Sequence, residues 1–333
     1  MSGLNQRIVL ASRPTGRPAP ENFRLETAPL PMPGAGQVLV RNDWLSIDPY
    51  MRGRMLDIRT YAEPVGLGEV MVGDTAGEVI ASHDPAFAVG DTVVGNLGWQ
   101  RYAAVDAARL RRVDAQRLPL PAYLGVAGMP GVTAFVGLVD LCTPKAGETV
   151  VVTAASGAVG SVAGQLAKLR GCRVVGVAGG AQKCRHVVDE LGFDACVDYR
   201  GDDFAARIAQ ALPDGIDAIF DNVGGEILDT LLGRVNHFAR IALCGAISEL
   251  DNPQPHGLKR LLPFIVHRVR LQGFIVNDHA ARWPAAIDEI SGHVAAGRMR
   301  YRESIADGLA AAPAALIGLF QGHNLGKQLV RLR

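Results

Sequence analysis

The amino-acid sequence predicts an α/β protein, with a doubly wound parallel sheet in its middle and a β-rich domain made by the rest. Three observations predict it. A β-branched run, Val150–Thr153, leads into a glycine turn and then a helix. Strand-like and helix-like segments keep alternating from there to about residue 276. The first 125 or so residues instead carry short strand-like runs among many prolines and glycines. Repeated β-α units put parallel strands in one sheet with helices on both faces.

In the N-terminal part, QVLVRNDWLSI, AGEVIA and DTVVGN read as strands, and GDTAGEVI and VGDTVVG pair glycines and acids with short strands, as small all-β barrels do. The texture changes near residue 126. Val150–Thr153 is continuous and β-branched, as a buried parallel strand requires. Ala158–Leu169 reads as a helix stopped by Gly171, and Cys172–Val177 as the second strand. Ala181–Leu191 is a helix ended by Gly192, Ala195–Val197 a short strand, and Asp203–Ala211 a helix. Ala218–Phe220 is a strand running into Asp221-Asn222, followed by a helix over Gly225–Leu232 and strands over Arg240–Cys244 and Leu271–Val276. The last 30 residues return to β texture (LGKQLVRL), so the C-terminus is expected to rejoin the first domain. The predicted division is 1–125 with 300–333, and 126–299.

Composition bounds the function. The chain has 333 residues, 48% of them apolar and 20% charged, enough to bury two cores. Lys plus Arg number 34 against 33 acidic residues, a net charge of +1, which gives no electrostatic reason to expect nucleic acid or an anionic membrane as partner. No apolar run reaches the roughly 18 residues of a membrane helix. The N-terminus has only a short apolar stretch, too short for a signal peptide, and the five cysteines are an odd count without a CxxC. Both point to free thiols in a reducing cytoplasm.

Ala155-Ser-Gly157-Ala158-Val159-Gly160 is a GxGxxG pattern with alanine in the first slot. Such a turn bares the backbone to a pyrophosphate at Gly157 and lets helix pack on strand at Gly160, and Gly164 extends the thin face of that helix. The helix N-terminus offers unpaired N–H groups and a positive dipole end. The second strand of such folds normally ends in an acid that holds the ribose hydroxyls. Here it runs into Gly179-Gly180 and then Lys183 (GVAGGAQK). An acid there would repel a 2′-phosphate, whereas a lysine attracts it as a point charge. The cofactor expected is therefore NADPH/NADP, with Lys183 on the 2′-phosphate and the Tyr199 hydroxyl beside it.

The segments GMPGVTAFVGL, PKAGETVVVTAASGAVGSVAGQLAKLRGCRVVGVAGGAQKC and ELGFDACVDYR resemble the medium-chain dehydrogenase/reductase superfamily. IDPYMRGRM, FDNVGGEILD, LCGAIS, GFIVNDH and HNLGKQLV narrow the resemblance to its zinc-independent branch of prostaglandin reductases, alkenal double-bond reductases and curcumin reductases. It runs nearly end to end. It implies a Rossmann nucleotide domain beside a GroES-like β-barrel catalytic domain, NADPH, and reduction of a carbon–carbon double bond conjugated to a carbonyl. It puts residues 157–160 on the pyrophosphate and Lys183 and Tyr199 on the 2′-phosphate. It sets Asn222 beside the nicotinamide ribose and Thr133 near the nicotinamide. Phe274, Ile275 and Val276 would meet the carboxamide, and Asn324 would reach the cofactor from the C-terminal part. It also implies a homodimer joined edge to edge along Leu271–Val276.

One position departs from the branch. A tyrosine that relatives commonly carry after CGAIS, sometimes proposed as proton donor, is here Leu250, which can donate nothing. Tyr50 in IDPYMR is the candidate replacement, ahead of Tyr61 or a water. Zinc is not expected, because the segment matching the zinc-binding relatives, near Gly68-Glu69, has no histidine and the eight histidines are scattered. Ser156 is not a nucleophile elbow, because Ala154 stands where that turn needs glycine. The expected reaction has NADPH bound at the strand C-termini, in a crevice between domains, and hydride delivered to the β-carbon of an enone or alkenal. Quinone reduction, or NADPH binding without turnover, are the alternatives. Residues 250–260 (LDNPQPHGLKR) are a candidate lid.

Overall fold

The computed structural model describes residues 3–252 and 254–333. They fall into two compact units, Met1–Gly125 with Glu303–Arg333, and Val126–Arg302.

The second unit is built on six parallel strands, Thr149–Thr153, Arg173–Ala178, Ala195–Asp198, Ile216–Asp221, Val235–Leu243 and Arg270–Gly273. In chain order, their spatial order is 3-2-1-4-5-6, the doubly wound order in which ligands bind where the winding reverses. That reversal lies between Thr149–Thr153 and Ile216–Asp221, which pair directly. All five residues of the first strand are buried, which is why a continuous valine run suits it. Helices Gly160–Leu169, Phe204–Ala211, Gly225–Leu232 and Trp283–Ala295 are among those that accompany the sheet.

Three expectations are corrected here, and one helix is added. The helix predicted over Ala181–Leu191 is α-helical only over Ala181–Arg185 and then widens to a π-type coil over His186–Glu190. The amide of Leu191 accordingly reaches back five residues to the His186 carbonyl. The last strand ends at Gly273, so Phe274 and Ile275 lie past it and Val276 opens a 3-10 turn. This strand is at the sheet edge, with a neighbour on one side only, and the chain leaves once the Phe274 ring can pack edge-on against Phe220, centroids 6.4 Å apart. Trp283–Ala295 is a helix the pattern reading passes over, although Pro284 at its start is a recognised helix-opening signal. Finally, the C-terminal β texture is interrupted by a helix, Ala312–Phe320, whose sequence APAALIGLF has no polar face to betray a helical period.

In the first unit, a seven-stranded sheet runs in the order Glu303–Asp307, Lys327–Arg331, Gln37–Ser46, Asp74–Ser82, Thr92–Asn96, Arg111–Arg112, with Tyr102–Asp106 paired to Gln37–Ser46. The C-terminal strands thus complete the N-terminal sheet. Its two end strands do not pair with each other among the described residues, so the GroES-like sheet expected here is an open ladder. Gly77 allows the bulged crossing of the two central strands, since a Cβ there would lie 2.0 Å from the Arg41 carbonyl oxygen. The core below holds Ile8, Leu45, Met51, Met71 and Trp99, the last stacked on Phe23. No helix among the described residues is long and apolar enough to cross a membrane.

Candidate functional site

At the reversal of the sheet, strand Thr149–Thr153 ends and the chain turns sharply. The turn falls on Ala154, which takes a left-handed φ of 48°, a conformation that costs a non-glycine residue about 1–2 kcal/mol. The Gly157 amide closes back on the Ala154 carbonyl at 2.9 Å. Gly160 opens the helix against that same carbonyl, where a Cβ would sit 2.4 Å from the oxygen. A Cβ on Gly157 would lie 3.1 Å from it. The segment Gly157-Ala158-Val159-Gly160 therefore lies close against its own strand, with the helix N-terminus behind it, and forms a cradle that fits a pyrophosphate.

Across the reversal, Asp221 organises the neighbouring strand end. Its carboxylate is fully buried and accepts from Thr153 Oγ1 at 2.7 Å, Val223 N at 3.2 Å and Gly224 N at 2.9 Å. Burial raises its pKa, against the lowering effect of the Thr153 hydrogen bond. Asn222 is locked to the same point, its amide N donating to Thr153 Oγ1 and its Nδ2 to the Thr153 carbonyl. The network joins the two strands that flank the binding position. Cys244, beyond the next strand, is a thiol pushed up to about 12 by burial and by Asp221.

The end of the second strand answers the missing-acid question. The parallel register sets Asp198 beside Ala178, so Tyr199 and Arg200 come up next to Gly179. A Cβ on Gly179 would lie 2.9 Å from the Tyr199 hydroxyl and 3.0 Å from Arg200 Nε. Gly180, with φ 97°, opens the helix that carries Lys183. Burial, and then the nearby Arg200 charge, lower the Lys183 pKa. Two cations and a phenol thus gather around a pair of glycines, a donor set suited to a phosphate dianion. The acid is present but one strand over. Asp198 uses Oδ1 to accept from the Gly180 and Arg200 amides at 2.8 and 3.0 Å, which shapes the loop rather than holding a ribose. Arg200 and Asp198 are the residues the sequence reading missed. The only local signal was an acid and an arginine flanking Tyr199.

The other candidates occupy varied settings. Thr133 lies in the helix Met129–Phe135 and donates its hydroxyl to the Met129 carbonyl at 2.7 Å. Phe274 packs between Phe220 and His279, in space left by Gly137, where a Cβ would lie 2.5 Å from the Phe220 ring. Ile275 and Val276 are half-buried. Leu250 is 41% exposed. In the loop that follows, the amides of Lys259 and Arg260 donate to Asp229 and that of His256 to Glu249, so both its ends are tied. Pro253, within the candidate lid, lies outside the described residues.

Tyr50 and Asn324 belong to the first unit. Tyr50 begins the helix Tyr50–Arg54. Its hydroxyl oxygen accepts from Asn96 Nδ2 at 3.2 Å, and the same nitrogen donates to Asp74 at 2.8 Å. The phenol proton is therefore not spent on Asn96. Burial, with Asp74 and Asp48 adding to it, holds the Tyr50 pKa well above its ordinary value. The preceding turn is anchored by buried Lys327, which donates to the Ile47 carbonyl at 2.6 Å and to Asp48 at 2.9 Å. Asn324 caps its own turn by donating to the Gly326 carbonyl.

No group of three or more His, Cys, Asp or Glu side chains placed to hold a metal occurs among the described residues. Two family profiles match the chain, one described as the N-terminal domain of oxidoreductase over residues 6–113 and one as zinc-binding dehydrogenase over residues 158–292. The NADPH-dependent curcumin reductase of Escherichia coli (strain K12) is 48% identical, covering 98% of this chain and 97% of its own. The NADP(+)-dependent 2-alkenal reductase of Nicotiana tabacum is 40% identical, covering 98% and 97%. The crystal structure of CurA from Vibrio vulnificus in complex with NADPH superposes with a TM-score of 0.94 at 45% identity, covering 98% of this chain and 99% of that one.

Proposed function

The chain belongs to the medium-chain dehydrogenase/reductase superfamily, in its zinc-independent branch of prostaglandin, alkenal and curcumin reductases, and on that premise we propose that it uses NADPH to reduce the conjugated double bond of an α,β-unsaturated aldehyde or ketone. The observation that carries the cofactor is the gathering of Lys183, Tyr199 and Arg200 around Gly179-Gly180, beside a glycine turn too tight for any side chain at residue 160. NADPH, when bound, supplies a hydride, so the protein's share is to hold, orient and protonate. Residues 157–160 hold the pyrophosphate, Lys183, Tyr199 and Arg200 the 2′-phosphate, and Asn222 the nicotinamide ribose. Thr133, Phe274–Val276 and Asn324 are assigned to the nicotinamide end. The test is NADPH absorbance in the presence of a 2-alkenal, a long-chain enone, a quinone or a saturated aldehyde. Oxidation by the first two and not by the saturated aldehyde supports the reading. Oxidation by the quinone alone sinks it.

Tyr50 is assigned as proton donor to the enolate. Asn96 donates to its oxygen, which leaves the phenol proton to be given away. Its raised pKa keeps that proton on at neutral pH. Tyr50→Phe should lower kcat by about 10²-fold, the low end of general-acid contributions, with NADPH affinity unchanged. A kcat equal to the parent's would give the proton to water.

The second copy in the proposed homodimer joins at the edge strand Arg270–Gly273. That strand ends the six-stranded sheet, and an edge presents unpaired backbone groups to another chain. The helix before it, Leu262–Val266, exposes Leu262 and Ile265 at 67% and 75%. Ile265→Glu should convert a dimer to monomer in sedimentation, and a parent chain that sediments as a monomer would remove this assignment.

A further inference from the structure

Two histidines stand apart from the residues that hold the cofactor. The strand Val235–Leu243 carries a bulge, since its partner advances from Ile216 to Ala218 while it advances from Val235 to Arg240. The residues between are pushed out of the ladder, and His237 among them is exposed. A bulge of this kind re-aims side chains. His267 directly follows the helix Leu262–Val266 and is half-buried. The residue after each histidine is left-handed, Phe238 at φ 62° and Arg268 at φ 51°, a conformation disfavoured where a side chain is present. The two turns hold each other. The Phe238 amide donates to the His267 carbonyl at 2.6 Å, and the Arg268 guanidinium lies 4.5 Å from the centre of the Phe238 ring. Strained backbone persists only where its surroundings impose it, and ligand clamps are among the places it gathers.

These turns set Nδ1 of His237 3.2 Å from Nδ1 of His267. Zinc binds an imidazole nitrogen at about 2.0–2.1 Å, so an ion shared at that spacing would see the two nitrogens at about 100°, close to tetrahedral. Rings sharing such an ion would have centroids about 5.0 Å apart, and rings joined by a straight N–H···N bond about 5.5 Å. The observed separation is 4.9 Å, nearer the first. The Arg268 charge, which opposes a cation, is engaged by the Phe238 ring and by the Val266 carbonyl. We propose that Nδ1 of His237 and Nδ1 of His267 together bind one divalent transition-metal ion of the zinc class, which staples the bulge to the end of the helix. Both rings bind in the neutral form with the proton on Nε2. Two nitrogens without a carboxylate select zinc-class ions over magnesium or calcium, which take oxygen. The described residues hold no group of three such ligands, so water fills the remaining positions. The site lies at the N-terminal end of a strand whose other end, Leu243, pairs with Asp221 on the side assigned to the cofactor. The ion is therefore structural and takes no part in hydride transfer.

The test uses the full chain without an affinity tag, stripped of metal and titrated with zinc chloride by calorimetry, with magnesium chloride as the control. A site for one zinc per chain is expected, with no magnesium uptake. Losing an outer partner of a metal ligand costs about 10–100-fold in affinity, so losing a ligand itself, in His237→Ala or His267→Ala, should raise the zinc Kd at least tenfold. His83→Ala, in an exposed loop, should bind zinc like the parent. Zinc should raise the melting temperature of the parent and of His83→Ala, because it binds the folded state, and should leave the other two unmoved. It should also slow hydrogen exchange at the Phe238 amide, which joins the two turns. Where a metal-free alanine variant melts below the parent, His237→Gln and His267→Gln, which keep the bulk, decide, and they too should lose the zinc. Absence of uptake, one zinc per two chains, magnesium bound as tightly as zinc, or either histidine variant binding zinc like the parent overturns the proposal.

Discussion

Lys183→Ala is expected to weaken NADPH binding by about 10–100-fold while leaving NADH binding within twofold. A charge-assisted hydrogen bond contributes roughly 1.5–3 kcal/mol, and each 1.4 kcal/mol is tenfold in Kd. The selectivity follows from placement. Lys183 stands with Arg200 and the Tyr199 hydroxyl around Gly179 and Gly180, a group of residues separate from the turn 157–160 assigned to the pyrophosphate. In the free protein the two cations face each other, and that repulsion, after burial, lowers the Lys183 pKa. A phosphate dianion between them relieves it. Raising the pH should therefore erode NADPH affinity from below the ordinary lysine value of 10.5, because the charged form is the one that binds. Arg200→Ala should cost less, since its side chain is more exposed and more screened by salt. Titration by fluorescence quenching reads both variants. Equal losses for NADPH and NADH would remove the 2′-phosphate assignment.

The largest stability effect is expected at Asp221. Asp221→Ala leaves the Thr153 hydroxyl and the Val223 and Gly224 amides without their acceptor in a fully buried place. Each such orphan costs about 1–3 kcal/mol. Some relaxation or an entering water offsets part of this, so a total near 3–5 kcal/mol is expected, in line with breaking other buried charged networks. For a unit of this size that corresponds to a fall of roughly 6–20 °C in melting temperature. Asp221→Asn keeps the shape but turns one acceptor into a donor facing an amide, and should cost about half as much. Calorimetry on both variants checks the order, and an alanine variant within 1 °C of the parent would show that the network is not what holds the strand ends.

The doubly wound sheet is legible in the sequence because its signals are local. Valine at 150–152 can only be continuous if both faces are covered, and Gly160 is required by one carbonyl six residues away. Lys183 is legible for the same reason, as a charge standing where an acid is expected. Arg200 is not. Its meeting with Gly179 depends on the register between two parallel strands twenty residues apart, and nothing in the string DYRG encodes that register. The end of the last strand is equally hidden, since it depends on a neighbour being absent at the edge and on Phe274 finding Phe220. The helix Ala312–Phe320 is hidden for a different reason. Being apolar nearly all round, it has no moment for a pattern to find.

The buried pair of Lys327 and Asp48 joins residues 279 apart in the chain, and the strand carrying Lys327 closes onto Gln37–Ser46. During synthesis this sets an order of events. A ribosome delivers about 5–20 residues per second, so the N-terminal strands emerge well before the strands that complete their sheet. The inserted unit, whose segments are contiguous, is released whole while the outer one still waits with an unpaired edge and an uncompensated Asp48. The nascent chain therefore holds a finished nucleotide-binding unit tethered to an unfinished host, and the emergence of the strand Lys327–Arg331 decides when the host can close.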